Sequence, residues 1–201
     1  MLGESMTTPI EESLRRLVRD CATLELRWAL IGGFAVSARA EPRFTRDVDA
    51  CVLVHDDADA EAIVMRLGHR GYDVESLVEH AYVDRLATVR LRPPVSGGVL
   101  VDLLFASSGI EPEITRDAEQ LELVPGLVLP VARVAHLVAL KLLARDDTAR
   151  PQDAADLTAM RQILTGEDIA DLRRLVRLVV ERGYHRDRDL IALAEAYIGG
   201  T

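Results

Sequence analysis

Apolar residues recur at Leu14, Leu17, Val18, Cys21 and Leu24, the spacing of a single helix face, so an amphipathic helix is predicted over 9–26. RWALI at 27–31 then reads as a short buried strand that stops at Gly32-Gly33. FAVSARA at 34–40 reads as a helix ended by Glu41-Pro42. Residues 47–54 alternate as a strand, 57–70 form a helix closed by Gly71, and 72–79 and 86–92 are two further strands. After Gly97-Gly98 comes VLVDLLFA at 99–106, the most apolar strand of the chain. A helical stretch at 109–120 and a short segment at 121–130 with two prolines follow. From about Ala132 the pattern turns wholly helical, over 132–146, 152–164, 167–182 and 187–198, punctuated by Pro151 and Gly183.

This order predicts an α+β fold, with a mixed β-sheet flanked by helices in residues 1–130, the N-terminal helix included. A C-terminal helical bundle follows in 131–201 and packs on that core. No internal repeat or low-complexity tract interrupts it. With 49% hydrophobic and 28% charged residues, the composition is that of a soluble globule able to bury one sizeable core. The only cysteines, Cys21 and Cys51, sit in apolar surroundings without metal-ligand spacing, which argues against a disulfide scaffold and for a reducing, cytoplasmic setting. The polar, acidic start MLGESMTTPIEES argues against export, and prolines, Arg133 and His136 break the longest greasy region, so no membrane span is expected. A net charge of −9 argues against a protein that coats nucleic acid, though not against an enzyme that touches it locally. One bias is sharper: the chain has 23 arginines and a single lysine, Lys141.

Alternation places Asp47 and Asp49 on one face at the start of their strand, about 7 Å apart, while Val48, Ala50, Val52 and Val54 fill the other. Two like charges so placed repel, and a hard divalent cation that accepts oxygens from both relieves the repulsion. Asp102, inside VLVDLLF, is a carboxylate in a central strand and needs a partner; the same cation or any of the arginines would serve. Gly32-Gly33, between a strand and a helix, is a place where backbone N–H groups hold phosphate, or simply a tight turn. Asp153 and Asp156, three apart on one helix face, either pair with Arg43, Arg46 or Lys141 or are first-turn acids favoured by the helix dipole. The histidines His55, His69, His80, His136 and His185 lack ligand spacing. Trp28 reads as a packing residue, and 173-RRLVR-177 as a solvated helix face or a cationic strip.

GGFAVSAR, followed by R-x-T-x-D-V-D at 43–49, resembles the signature of the nucleotidyltransferase superfamily, the DNA polymerase β-like fold. Asp102 matches its third metal-binding carboxylate. KLLARDDTARPQDAADL at 141–157 resembles the last motif of the AbiEii/AbiGii nucleotidyltransferase toxins of type IV toxin–antitoxin systems. The resemblance spans roughly 29–157 and implies an enzyme that transfers NMP from an NTP to an acceptor hydroxyl, releasing pyrophosphate. It implies Asp47, Asp49 and Asp102 as ligands of Mg²⁺, or of Mn²⁺ in its place. It implies NTP contacts from Gly32, Gly33, Ser37, Arg43, Thr45, Arg46, Lys141, Asp153 and Asp156, with Asp47, Asp49, Asp102 and Lys141 as the catalytic set. An RNA acceptor, the 3′ end of tRNA, and a cognate antitoxin protein are the implied partners. The chain departs from the pattern twice: Gly33 stands where most of the superfamily has serine, and Gln152-Asp153 replaces Lys-Asp. Three other readings stand beside this one: the same chemistry on a small acceptor such as an aminoglycoside, a silent nucleotide-binding or interaction module, and an uncommitted α+β domain with chance motifs.

Overall fold

A computed structural model describes residues 8–80, 85–144 and 151–200. Helix α1 (Pro9–Thr23) opens on Thr8, whose side chain accepts the Glu11 N–H, and buries Leu14, Leu17 and Cys21. Strand β1 (Trp28–Ile31) is buried along its whole length, Trp28 included, and runs directly into α2 (Gly32–Arg39). Then come β2 (Asp47–Val52), α3 (Asp57–Gly68), the hairpin β3 (Asp73–His80) and β4 (Arg85–Arg92), β5 (Leu100–Leu104) and α4 (Glu111–Asp117). A second hairpin, β6 (Glu119–Val124) and β7 (Leu127–Val131), leads into α5 (Val134–Ala144), α6 (Pro151–Gln162), α7 (Gly166–Glu181) and α8 (Leu190–Gly199).

The strands form one seven-stranded sheet in the order β3-β4-β5-β2-β1-β7-β6. β2–β5 and β1–β7 are parallel, and the remaining pairs are antiparallel. The fold is therefore mixed, as the hydrophobic pattern implies. One stretch left open by the pattern, 121–130, is a strand pair: Pro125-Gly126 makes its turn, with Gly126 at φ +74° where a side chain is strained. One expectation needs correction: the helix expected over 109–120 stops at Asp117, because Glu119 already pairs with Val131.

α5 shows how the C-terminal helices hold to α2 and to one another. It is apolar all round, with Val134, Ala135, Leu137, Val138, Ala139, Leu142 and Leu143 buried, and it packs on α2, α6, α7 and α8. Its last turn carries Lys141. Thr165 starts α7 with reciprocal bonds to Asp168, so that helix is capped from its first residue. No helix among the described residues is long and apolar enough to cross a membrane.

Candidate active site

The sheet register draws one row of side chains across five strands. Ile31 on β1 lies opposite Asp49, Asp49 opposite Asp102, Asp102 opposite Arg90, and Arg90 opposite Ser76 on β3. The alternation of β2 sends Val48, Ala50 and Val52 into the core and leaves Asp47 and Asp49 half-buried on the opposite face. That face is the floor of a cleft of about 1240 Å³, whose lining includes Gly32, Gly33, Asp47, Asp49, Asp102 and Lys141.

The electrostatics of the row follow from burial and crowding. Burial first, then the charges of Asp47 and Asp102, push the Asp49 carboxyl up to about 7, against the opposing effects of Lys141 and of a hydrogen bond from the Gly33 backbone. Asp102 is differently placed. Arg90 donates to both of its oxygens, Nε to Oδ1 at 2.7 Å and Nη2 to Oδ2 at 2.5 Å, and the same Nη2 lies 3.4 Å from Asp47 Oδ2. The pairing holds the Arg90 guanidinium well above its ordinary range.

A second cluster forms the wall where α5, α6 and the loop before β2 meet. Lys141 Nζ lies 2.5 Å from Asp153 Oδ1 and 2.8 Å from Asp156 Oδ2. Arg43 takes Asp156 bidentately, through Nε at 2.6 Å and Nη2 at 2.8 Å. Asp156, whose side chain is 1% exposed, thus joins two cations from segments about a hundred residues apart. The structure pairs Asp153 and Asp156 with Lys141 and Arg43, and Asp153 also lies in the first turn of α6, so the two sequence readings do not exclude each other. The Asp146 position of the Lys141 motif lies outside the described residues.

The glycines are shaped by these neighbours. Gly32 has φ +63°, and a Cβ there would lie 1.9 Å from Asp49 Oδ2. A Cβ on Gly33 would lie 2.7 Å from both Arg43 Nη2 and Thr45 Oγ1. The room a serine would need at 33 is therefore filled by a guanidinium and a hydroxyl from the facing loop, which accounts for the Gly-Gly departure. Ser37 instead braces that loop: its Oγ accepts the Arg43 N–H at 3.3 Å. Thr45 is buried, whereas Phe44 is 73% exposed at the cleft mouth with the Arg46 guanidinium 6.0 Å from its ring centre.

A family model described as "Nucleotidyl transferase AbiEii toxin, Type IV TA system" matches residues 15–197. The chain belongs to the AbiEii nucleotidyltransferase family. It is a nucleotidyltransferase by that membership, and its sheet is of the kind found in such folds. An antigenic nucleotidyltransferase-like protein from Paracoccidioides brasiliensis is similar at a TM-score of 0.50 and 18% identity, over 93% of this chain and 94% of its own. ANT(2")-Ia in complex with adenylyl-2"-tobramycin is similar at 0.48 and 15% identity, over 93% and 95%. JHP933 from Helicobacter pylori is similar at 0.46 and 14%, over 98% and 90%. At 18% identity the likeness to the Paracoccidioides brasiliensis protein is one of fold. No curated protein matches the sequence.

In this AbiEii chain the donor set suits a hard cation. Asp47 and Asp49 offer carboxylate oxygens that repel one another, which a divalent ion relieves, and such ions favour one or two carboxylates plus substrate phosphates. Among the described residues, however, no three acids, histidines or cysteines are gathered as a ready metal centre, and Asp102 faces Arg90. Arg90 is the site residue that sequence reasoning missed. The signal was only that Asp102 required a partner; which arginine supplies it depends on the β4–β5 register.

Proposed function

We propose that the chain transfers NMP from an NTP to a hydroxyl of RNA, the 3′ end of tRNA being the acceptor, in a reaction that depends on Mg²⁺. The observation that carries the metal-dependent chemistry is the pair Asp47 and Asp49 on the cleft floor, beside the Gly32-Gly33 start of α2 and within the field of Lys141. Asp47 and Asp49 would hold the divalent ion together with the triphosphate, and Asp102 would join them on a second ion. When bound, the ions neutralise charge on the α-phosphate and on the leaving pyrophosphate and acidify the acceptor hydroxyl. Lys141, kept in place by Asp153 and Asp156, supplies a point charge to the triphosphate. Arg43, fixed by Asp156, shapes the loop that carries Thr45 and Arg46 to the same phosphates. The acceptor oxygen attacks the α-phosphorus in line, the bond to the β-phosphate breaks, and the hydroxyl proton passes to the carboxylate cluster.

The lining beyond the metal carboxylates supports RNA over a polycationic drug. Once the Lys141–Asp153, Arg43–Asp156 and Arg90–Asp102 pairs are set aside, it carries Arg46 and Arg186 against one acid, Glu79. Phe44 with Arg46 at the mouth is the aromatic-and-cation combination on which unpaired bases stack. By family, a cognate antitoxin is the protein partner. The test incubates purified protein with Mg²⁺, each α-labelled NTP in turn, and total bacterial tRNA, beside an Asp49→Ala control. Label on RNA that vanishes in the control is expected. Label only on an added aminoglycoside would move the acceptor to small molecules, and no transfer from any NTP would sink the reading.

A further inference from the structure

The row Asp49–Asp102–Arg90 joins a cation to the cleft floor at a fixed place. Arg90 is not a chance surface arginine that has folded over: its Cα is the register partner of Asp102 on the next strand, and its guanidinium takes both carboxylate oxygens while also reaching Asp47. A guanidinium there and a divalent cation compete for the same oxygens and repel each other. Among the described residues, Asp47 and Asp49 lack a comparably tight partner: Asp47 has Arg90 at 3.4 Å, and Asp49 receives the Gly33 backbone bond.

We propose that Arg90 is a positioning residue that withholds Asp102 from divalent cations, so that the two-carboxylate site on Asp47 and Asp49 fills first and Asp102 becomes a ligand only when the substrate's phosphates draw Arg90 off. This rests on the nucleotidyl-transfer reading and assigns an order to its two cations. Arg90 lies on the cleft lining with a side chain 40% exposed, so it has room to leave Asp102 without disturbing the core. The arrangement keeps the enzyme from assembling a complete cation pair without substrate.

The test counts Mn²⁺ bound to the whole protein at pH 8, read from the electron paramagnetic resonance of free Mn²⁺, with and without a non-hydrolysable NTP analogue. Without nucleotide, Arg90→Gln should bind Mn²⁺ about tenfold more tightly than the unaltered protein, and Arg90→Lys, which keeps charge but not the bidentate fork, should fall between. The gain should vanish in Arg90→Gln/Asp102→Asn. With the analogue present, the difference between the unaltered protein and Arg90→Gln should shrink to within about twofold. Melting curves of each variant establish that it is folded. Unchanged or weaker Mn²⁺ binding in folded Arg90→Gln, or a gain that survives in the double variant, overturns the proposal while leaving nucleotidyl transfer untouched. An unaltered protein that binds no Mn²⁺ even with the analogue fails the functional reading itself, and the proposal with it.

Discussion

At the scale of single residues, Asp156 carries the most connections for its size. It is buried, and it holds Lys141 on one side and Arg43 on the other. Removing one partner of a buried pair leaves charge without compensation, which costs about 3 kcal/mol. Asp156→Ala should therefore lower stability by about that much in denaturant titration, and it should reduce nucleotidyl transfer more than tenfold because Arg43 loses its carboxylate and Lys141 is left with Asp153 alone. Retained transfer at full rate in a folded Asp156→Ala protein would show that neither Lys141 nor Arg43 depends on it. The residues of this cluster were legible in the sequence through the lone lysine and the spacing of Asp153 and Asp156. Their mutual pairing was legible only as one of two choices, since helix periodicity places two acids on a face without saying what that face meets. Arg90 was invisible for a related reason: among 23 arginines, composition cannot choose the one opposite Asp102.

At the scale of elements, α5 is the helix on which the others turn, and one polar side chain is sealed in it. His136 is fully buried on α5, with Asp117 of α4 at 3.7 Å from Nε2 and with Asp171 and Arg174 of α7 and Arg133 also acting on it. Burial outweighs the acids and pushes its pKa down from 6.5 to about 4. The unfolded ring takes up a proton near 6.5 and the folded one does not, so this contribution to stability is complete above that pH. It is lost as pH falls toward 4, by about 3 kcal/mol in all. The difference in denaturant midpoint between the protein and His136→Leu, measured between pH 4 and 7, should show that slope. Proton uptake by the raised Asp49 carboxyl acts in the opposite direction over the same range, but it is common to both proteins. A difference that does not vary with pH would place the proton uptake elsewhere. Strand and helix periods made most elements readable, because each buries one clear face. The hairpin of β6 and β7 escaped, since two prolines argue against a strand. Yet β7 joins β1 only at Leu30 and Val131, just past Pro130, so the sheet asks little of that residue.

At the scale of the whole molecule, the cleft is assembled from parts that the sequence keeps far apart: the loop at 43–46, the β3–β4 ribbon and the helices after Val134. The fold class was readable from the order of patterns, and the acids on its floor from their strands; the walls were not, because they exist only once the sheet is closed by α5 and α6. Phe44 is where this matters for the acceptor. Stacking a base on an aromatic ring contributes roughly 1–3 kcal/mol. Phe44→Ala should accordingly raise KM for RNA about tenfold in the transfer assay with little change in stability, as befits a ring 73% exposed; an unchanged KM would remove the mouth from the acceptor path. The row that runs from Ile31 through Asp49, Asp102 and Arg90 to Ser76 has a last consequence. A strand displaced by a single residue would turn Val48, Val101 or Val89 to the cleft in place of its polar neighbour. Such a molecule would be dead rather than impaired. In a refolded preparation, specific activity would then behave as a head count of correctly aligned chains, and a half-active sample would be a mixture of whole enzymes and inert ones.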